Sequence, residues 1–170
     1  MNGSNNNKIT PIMIGIGDMA CSKDPSRSIK TMALGSCVAV VILDQRTKTA
    51  GMIHIALPDS TINAERAAIQ PGYFADTGIA KLIANMDAMV CDPTHKSFVV
   101  KMAGGANVVD ITQTFNIGKR NILAVKKILW QLGLGSIAED VGGEVSRTVE
   151  VFVSNGMFKI HTPNGRSWEI

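Results

Sequence analysis

The chain has 170 residues, a length that favours a single domain with one substantial hydrophobic core. Hydrophobic residues make up 45% of it and charged residues only 18%, a balance that excludes an intrinsically disordered protein. The net charge of +3 comes from scattered residues and aromatic side chains account for 5%, so no nucleic-acid-binding surface, which needs dense basic charge, is expected.

Residues 1–8 are polar and include three consecutive asparagines, so we expect a disordered tail followed by one domain over residues 9–170. The longest apolar run, residues 37–43, is far shorter than the ~20 residues that a transmembrane helix needs. The first residues also lack the charged and apolar regions of a secretory signal. These features together predict a cytoplasmic protein.

The first part of the chain predicts three strands. Residues 10–17 alternate enough for a strand, and residues 18–28 are predicted to form a polar loop. The β-branched run at 37–43 predicts a strand buried on both faces. Residues 51–57 predict its antiparallel partner, because the polar turn between the two is too short for a crossover helix.

Two amphipathic helices are predicted by apolar residues at helical spacing. The first follows a loop that extends to Gly72, and the second ends at Gly133, a glycine stop. The apolar positions of the first are Ile79, Leu82, Ile83, Met86, Met89 and Val90, and those of the second are Ile122, Val125, Ile128, Leu129 and Leu132.

Further strands are predicted at residues 97–103, 137–141, 148–153 and 157–162. The last two are joined by Ser154, Asn155 and Gly156, and an Asn-Gly pair is a strong hairpin signal. This mixed order of strands and helices predicts a layered α/β or α+β fold.

The three cysteines, Cys21, Cys37 and Cys91, fit neither a disulfide framework nor a paired zinc motif, because their number is odd and their spacing irregular. Each is therefore a buried small hydrophobic residue or a reactive thiol. The chain has no CxxC or HxxxH motif, so we expect no metal and no cofactor.

Cys37 is the candidate nucleophile, because the turn formed by Leu34, Gly35 and Ser36 leads directly into a buried strand. Such a junction exposes a side chain at the strand end, and backbone N–H groups around Ser36 and Cys37, with Gly35 in the same turn, can stabilise an oxyanion. A free thiol is mostly protonated at pH 7 and needs a neighbouring base.

His54 can supply that base, because it lies on the strand face opposite Ile53 and Ile55. A core histidine bonded to a backbone carbonyl fits the same spacing equally well. His95 and His161 lie in polar or terminal segments and are expected to be surface residues. The glycine-rich segments 104–107 and 142–143 complete no phosphate-binding pattern and are predicted to be tight turns.

Five segments, in order, resemble the CheD family of chemoreceptor glutamine deamidases. They are TMALGSCVAVVILD from Thr31 with GMIHIALP from Gly51, YFADTGIAKLI from Tyr73, KMAGGAN from Lys101, NIGKRN from Asn116, and AEDVGG from Ala138 followed by Arg147. The resemblance covers roughly residues 9–160.

This resemblance implies a three-layer α/β (α+β) sandwich of mixed, largely antiparallel sheet with two main helices, similar to that of glutamine-deamidating toxins. It implies a catalytic cysteine, histidine and threonine, which match Cys37, His54 and Thr31. The implied activity is deamidation of glutamine side chains on the cytoplasmic helices of methyl-accepting chemoreceptors, with hydrolysis of glutamyl methyl esters as a second reaction. Ala56 stands where the family commonly has a bulkier residue, which affects the expected shape of the pocket.

Two other classes of function remain open from the sequence. The resemblance also implies binding to a CheC-like phosphatase, so the chain can be a chemotaxis adaptor with little catalysis of its own. A cysteine peptidase or a transglutaminase would use the same nucleophile and base. The reaction product distinguishes these possibilities.

Overall fold

The computed structural model describes residues 9–89, 91–108 and 116–170. The predicted tail at 1–8 lies outside these ranges, as does Val90 of the first predicted helix. Within them, ten strands form two five-stranded sheets that are accompanied by three α-helices.

The outer sheet has the strand order β1-β3-β8-β9-β10 and the central sheet the order β2-β5-β4-β6-β7. The outer sheet consists of β1 (Thr10–Met13), β3 (Arg27–Leu34), β8 (Arg147–Phe152), β9 (Phe158–His161) and β10 (Ser167–Glu169). The central sheet consists of β2 (Met19–Ser22), β5 (Thr49–Ile55), β4 (Val38–Asp44), β6 (Phe98–Gly104) and β7 (Ser136–Val141). The helices are α1 (Ala64–Ile69), α2 (Ala75–Asp87) and α3 (Ile117–Gln131).

Most neighbouring strands are antiparallel, and the parallel pairs are β1 with β3 and β6 with β7. The helices α2 and α3 pack on one face of the central sheet, and the outer sheet packs on its other face. The predicted three-layer sandwich of mixed, largely antiparallel sheet with two main helices is therefore confirmed.

The central sheet separates two hydrophobic cores because side chains alternate along each strand. The core on the helix side contains Val40, Ile42, Ile53, Ile55, Ile79, Leu82, Met86, Val125 and Leu129. The core between the sheets contains Ile29, Ala39, Val41, Met52, Val149, Val151, Phe158 and Ile160. Full burial of one such aliphatic or aromatic side chain stabilises the fold by about 1.5–3 kcal/mol. The strand predicted to be buried on both faces is β4, which contributes alternately to both cores.

Asp44 fixes the turn that joins β4 to β5. It is 1% exposed and accepts hydrogen bonds from the Ser97 hydroxyl at 2.6 Å, from the Thr47 hydroxyl at 2.8 Å and from the backbone N–H groups of Arg46 and Asp92. Burial raises the pKa of Asp44, but these hydrogen bonds outweigh it and hold the pKa well below its usual range. A fixed turn also fixes the register of the two strands that it joins.

Three predictions about local structure are wrong. The strand predicted at 10–17 ends at Met13, and the loop predicted at 18–28 contains β2 and the start of β3. The predicted loop up to Gly72 contains α1, whose residues are all at least partly exposed, so no apolar stripe marks it in the sequence. This helix is instead begun by a cap, in which the Arg66 N–H donates to Asn63 Oδ1 at 2.9 Å.

The remaining predicted elements are confirmed with shifts of a few residues at their ends. Gly133 has a φ of +71° and ends α3 as predicted, with the Leu134 N–H donating to the Leu129 carbonyl at 2.8 Å. The Asn-Gly turn joins β8 to β9 as an antiparallel hairpin, with Gly156 at a φ of +69°. No helix in the described ranges is long and apolar enough to cross a bilayer.

Candidate active site

The pairing of β4 with β5 places Cys37 and His54 on one face of the central sheet. His54 lies directly opposite Ala39, and Cys37 precedes Ala39 by two residues, so the alternation of side chains puts all three on the face towards the outer sheet. Cys37 and His54 are therefore diagonal neighbours across two antiparallel strands. Cys37 is half-buried, whereas His54 is 1% exposed.

Thr31 reaches His54 from the other sheet. It lies on β3 and is 1% exposed, and its Oγ1 is 2.7 Å from His54 Nδ1. Immediately after Thr31 the pairing of β3 with β8 is interrupted by a bulge, in which Ala33 has a φ of +57°. Cys37 follows three residues after the end of β3 at Leu34. The structure thus places Thr31 in contact with His54, and it places Cys37 on the same sheet face without a hydrogen bond to the ring.

The second ring nitrogen of His54, Nε2, is buried and has no hydrogen-bond partner among the described residues. The main chain of His54 is held by two further hydrogen bonds. The backbone N–H of His54 donates to the Asp18 carbonyl at 3.0 Å, and the His54 carbonyl accepts from the Gly17 N–H at 2.8 Å. A ring bonded at Nδ1 and unbonded at Nε2 has one nitrogen available to take a proton. Catalytic hydrogen bonds often form only when substrate is bound.

Burial keeps both the thiol and the imidazole neutral. It lowers the pKa of His54 to about 4, and the nearby charge of Asp18 offsets only part of that effect. Burial also raises the pKa of the Cys37 thiol, although a hydrogen bond from its own backbone N–H acts in the opposite direction. At pH 7 the site therefore holds a thiol beside a neutral base, and no thiolate–imidazolium pair.

The two glycine-rich segments support the turn that carries Cys37. The Gly105 N–H donates to the Cys37 carbonyl at 2.7 Å, and the Ala106 N–H donates to the Gly35 carbonyl at 2.7 Å. Gly104 has a φ of +110°, and a Cβ there would lie 2.3 Å from the Cys37 carbonyl oxygen. The Gly142 N–H in turn donates to the Gly104 carbonyl at 2.8 Å. Both segments lie at strand ends, as expected, but neither is closed by a hydrogen bond of its own among the described residues, so the predicted tight turns stay predictions. Together the two segments form a brace behind Cys37.

Arg147 and Asp140 fix the outer end of this brace. Arg147 Nε lies 2.8 Å and Nη2 2.6 Å from Asp140 Oδ1, while Nη1 donates to the carbonyls of Gly142 and Val145. Trp168 Nε1 donates to the other carboxylate oxygen of Asp140 at 2.6 Å. The segment AEDVGG and its following arginine therefore lie in one bonded cluster next to the site.

Asn121 on α3 is a site residue that the sequence analysis missed. It is completely buried, and its Nδ2 donates to the carbonyls of Ser36 and Ala56, both at 2.9 Å. A signal was present in the sequence, because Asn121 precedes Val125 by four residues and so lies on the apolar stripe of the helix. A polar residue on such a stripe needs hydrogen-bond partners inside the fold.

The other cysteines and histidines lie away from this arrangement. Cys91 is buried and Cys21 half-buried in the core on the helix side, where burial and then the charge of Cys91 raise the pKa of Cys21 to about 12. His95 stacks on Phe98 and pairs with Asp87 at 3.0 Å. Among the described residues, no group of three or more His, Cys, Asp or Glu side chains is arranged to hold a metal ion.

Comparison with known proteins identifies the family. The model of the family described as CheD chemotactic sensory transduction matches residues 56–162. A "Probable chemoreceptor glutamine deamidase CheD" of Syntrophotalea carbinolica is 48% identical over 162 residues, which cover 95% of this chain and 100% of that protein. The chain belongs to the CheD family. The family-model match begins at Ala56 and so does not include Thr31, Cys37 or His54.

Other CheD proteins match over similar lengths. "Probable chemoreceptor glutamine deamidase CheD 2" of Anaeromyxobacter dehalogenans is 42% identical and covers 89% of this chain and 94% of its own length. The CheD protein of Solibacter usitatus is 39% identical and covers 94% of this chain and 92% of its own. Among solved structures, the Neisseria meningitidis protein NMB0706 covers 74% of this chain and 53% of its own at 11% identity, with a TM-score of 0.41.

Proposed function

We propose that this CheD protein hydrolyses the side-chain amide of specific chemoreceptor glutamines to glutamate and ammonia, with Cys37 as nucleophile. The proposal rests on the contact of 2.7 Å between Thr31 and His54, which leaves Nε2 as the free nitrogen of an imidazole on the same sheet face as Cys37. The names of the near full-length relatives supply the substrate class.

In the first half of the reaction, His54 Nε2 takes the proton of the Cys37 thiol as the sulfur attacks the carbonyl carbon of the glutamine side chain. The resulting tetrahedral intermediate collapses when the imidazolium returns the proton to the amide nitrogen, and ammonia leaves. In the second half, His54 activates a water molecule that hydrolyses the thioester. Glutamate and the free thiol are the products.

The backbone N–H groups of Ser36 and Cys37 are the proposed oxyanion donors. Neither N–H has a backbone acceptor among the described residues, and the Cys37 N–H lies against its own sulfur, next to where negative charge develops in the reaction. The loss of one such donor in other hydrolases costs about 2.7–4 kcal/mol of transition-state stabilisation. Gly35 places no side chain in this turn, which leaves room for the substrate amide.

Thr31 orients the imidazole through Nδ1. A hydroxyl is neutral and cannot stabilise an imidazolium as a carboxylate does, so its role is to hold the ring and its tautomer. In the tautomer that frees Nε2, the Nδ1–H donates to Thr31 Oγ1.

Intact-mass spectrometry of a receptor cytoplasmic fragment tests the function. Incubation with the wild-type protein should add about 1 Da for each amide converted to an acid, and the Cys37→Ala variant should add nothing. Absence of any mass change with the wild type would contradict the proposed function. If the wild type and Cys37→Ala then bound a CheC-like phosphatase with equal affinity, the protein would be an adaptor.

The same acyl-enzyme can arise from a glutamyl methyl ester, since only the leaving group differs. Methanol released from a methylated receptor fragment by the wild type, but not by Cys37→Ala, would show this second reaction. Cytoplasmic location follows from the proposed substrate region and remains a prediction.

A further inference from the structure

A single buried amide connects the segment that carries Cys37 with the strand that carries His54. Asn121 is 0% exposed, and its Nδ2 donates to the Ser36 carbonyl and to the Ala56 carbonyl, each at 2.9 Å. Ser36 immediately precedes Cys37, and Ala56 follows His54 by two residues. The two carbonyls belong to segments that run antiparallel side by side, so this one amide spans the base of the candidate active site.

The contact with Ser36 also sets the direction of the Cys37 N–H. The peptide bond is planar and trans, so the carbonyl of Ser36 and the N–H of Cys37 point in opposite directions. Since the carbonyl points to Asn121, the N–H points away from α3. That N–H has no backbone acceptor among the described residues, and it lies against the Cys37 sulfur, where it favours the thiolate. Its direction suits an oxyanion donor.

The orientation of the amide itself is fixed by its surroundings. An amide rotated by 180° would present its oxygen to two carbonyl oxygens, which cannot donate. In the observed orientation, Oδ1 is buried and has no hydrogen-bond partner among the described residues, which is an unfavourable arrangement for a polar atom. The two donors are thus kept at the expense of an unsatisfied acceptor.

The helix that carries Asn121 is held close to the same brace. A Cβ at Gly118, one turn before Asn121, would lie 2.3 Å from the Gly105 carbonyl oxygen. Gly105 is the residue whose N–H holds the Cys37 carbonyl. The backbone of α3 therefore packs directly on the segment behind the nucleophile, and Asn121 cannot shift independently of it.

We propose that Asn121 is a positioning residue of the active site, which holds the Ser36–Cys37 peptide so that the Cys37 N–H faces the developing oxyanion. The proposal rests on the proposed function of Cys37. Asn121 does not touch the reacting atoms, and its effect on the reaction is exerted through Ser36 and Ala56.

The Asn121→Asp variant tests this role, because aspartate has the shape of asparagine and loses both donors. At about pH 8 we expect kcat for receptor deamidation to fall about 10- to 100-fold, with KM changed less than about threefold, since a transition-state contact is affected. The Asn85→Asp variant, on α2 and away from the site, is the matched control and should retain wild-type kcat.

The dependence on pH separates positioning from a merely structural role. A carboxyl group buried against two carbonyl oxygens has a raised pKa, and its protonated form can donate one hydrogen bond again. The ratio of kcat of Asn121→Asp to that of the wild type should therefore rise several-fold as the pH falls from about 8 to about 5. Because protonation of a buried carboxyl also restores stability, kcat is expressed per folded molecule, with the folded fraction of Asn121→Asp measured by circular dichroism at each pH. A ratio per folded molecule that stays constant with pH would assign the effect to stability and overturn the proposal.

The proposal would be overturned if the wild type deamidates the receptor and a folded Asn121→Asp has a kcat within twofold of the wild-type value. The proposed function would then remain intact. An inactive wild type would instead contradict the proposed function. Should Asn121→Asp fail to fold, Asn121→Ala is measured in its place, and there a kcat within twofold of wild type overturns the proposal. Failure of both variants to fold would assign Asn121 to stability alone.

Discussion

Replacement of Thr31 by valine removes the oxygen that lies 2.7 Å from His54 Nδ1 and keeps the shape of the side chain. Thr31 and His54 are each 1% exposed, so water cannot replace the lost partner without opening the core between the sheets. A buried polar atom that loses its hydrogen-bond partner costs about 1–3 kcal/mol. The free energy of unfolding of Thr31→Val should fall by this amount.

The rate should fall for a separate reason. Without Thr31, the imidazole ring and its tautomer are no longer held, and an additional cost of about 1–3 kcal/mol to reach the reactive orientation corresponds to a rate decrease of about 5- to 150-fold. Cys37→Ser should lose more, about 1000-fold or beyond, because the nucleophile itself is replaced. The deamidation rate of Thr31→Val should therefore lie between the rates of the wild type and of Cys37→Ser.

The Thr49→Val variant is the matched control. Thr49 is also a threonine that is 1% exposed, and its Oγ1 contacts Thr47 Oγ1 at 2.8 Å at the far end of β5 from His54. Urea denaturation should show a loss of about 1 kcal/mol for this variant. Intact-mass measurement of the receptor fragment over time should show a wild-type rate.

Two results would refute the reasoning about Thr31. A Thr31→Val variant that deamidates as fast as Thr49→Val would show that the imidazole needs no orienting hydroxyl. Complete inactivity of a folded Thr31→Val, equal to that of Cys37→Ser, would show that the hydroxyl takes part in the chemistry itself.

Three further predictions concern pH and packing. Because burial lowers the pKa of His54 to about 4, the base stays unprotonated in weak acid, so kcat/KM should decline only as the pH approaches 4; a midpoint near 6.5 would contradict the assignment. Gly104→Ala should abolish most activity and lower the free energy of unfolding by at least about 2 kcal/mol, since the new Cβ would lie 2.3 Å from the Cys37 carbonyl oxygen. Its control is Gly133→Ala, where the φ is +71° and a Cβ has no neighbour within 4 Å. In thermal unfolding, this control should lose only about 1 kcal/mol, and its activity should be unchanged. Asp44→Asn should lower the free energy of unfolding at pH 7 by about 1–3 kcal/mol. This difference from wild type should shrink as the pH falls below 4, because a carboxylate with a lowered native pKa stops contributing stability once it is protonated. Urea titrations at pH 7 and at a pH below 4 measure the difference.

The sequence predicted the fold class because its strongest patterns lie in the central sheet and the two large helices. The run at 37–43 and the strand at 51–57 are apolar enough to define β4 and β5, and the spacing along α2 and α3 is regular. The elements that the sequence did not predict are β2, β3, β10 and α1. Of these, β2, β10 and α1 are short and partly exposed, and β2 and α1 are held by pairing with β5 and by the Asn63 cap. The longer β3 buries the polar residues Ser28 and Thr31, which weaken its apolar pattern, and it is held by pairing with β1 and β8. Tertiary contacts of this kind leave no periodicity in the chain.

The candidate site was only partly readable in the same way. Alternation along β5 predicted that His54 lies on the strand face away from Ile53 and Ile55, and the structure confirms this. No local pattern connects His54 to Thr31, which lies on the other sheet. That residue came from the family resemblance. The position of Asn121 on the apolar stripe of α3 indicated a buried polar residue, but its partners could not be predicted, because they are backbone carbonyls of distant segments.

The neutral state of Cys37 and His54 at rest affects how the protein survives in the cell. Peroxides and electrophiles attack thiolates far faster than thiols, so a cysteine whose pKa is raised by burial is a poor target for them. In the proposed mechanism, the sulfur loses its proton only as it attacks a bound amide. The nucleophile should therefore outlast oxidative conditions that inactivate enzymes with a permanently ionised cysteine.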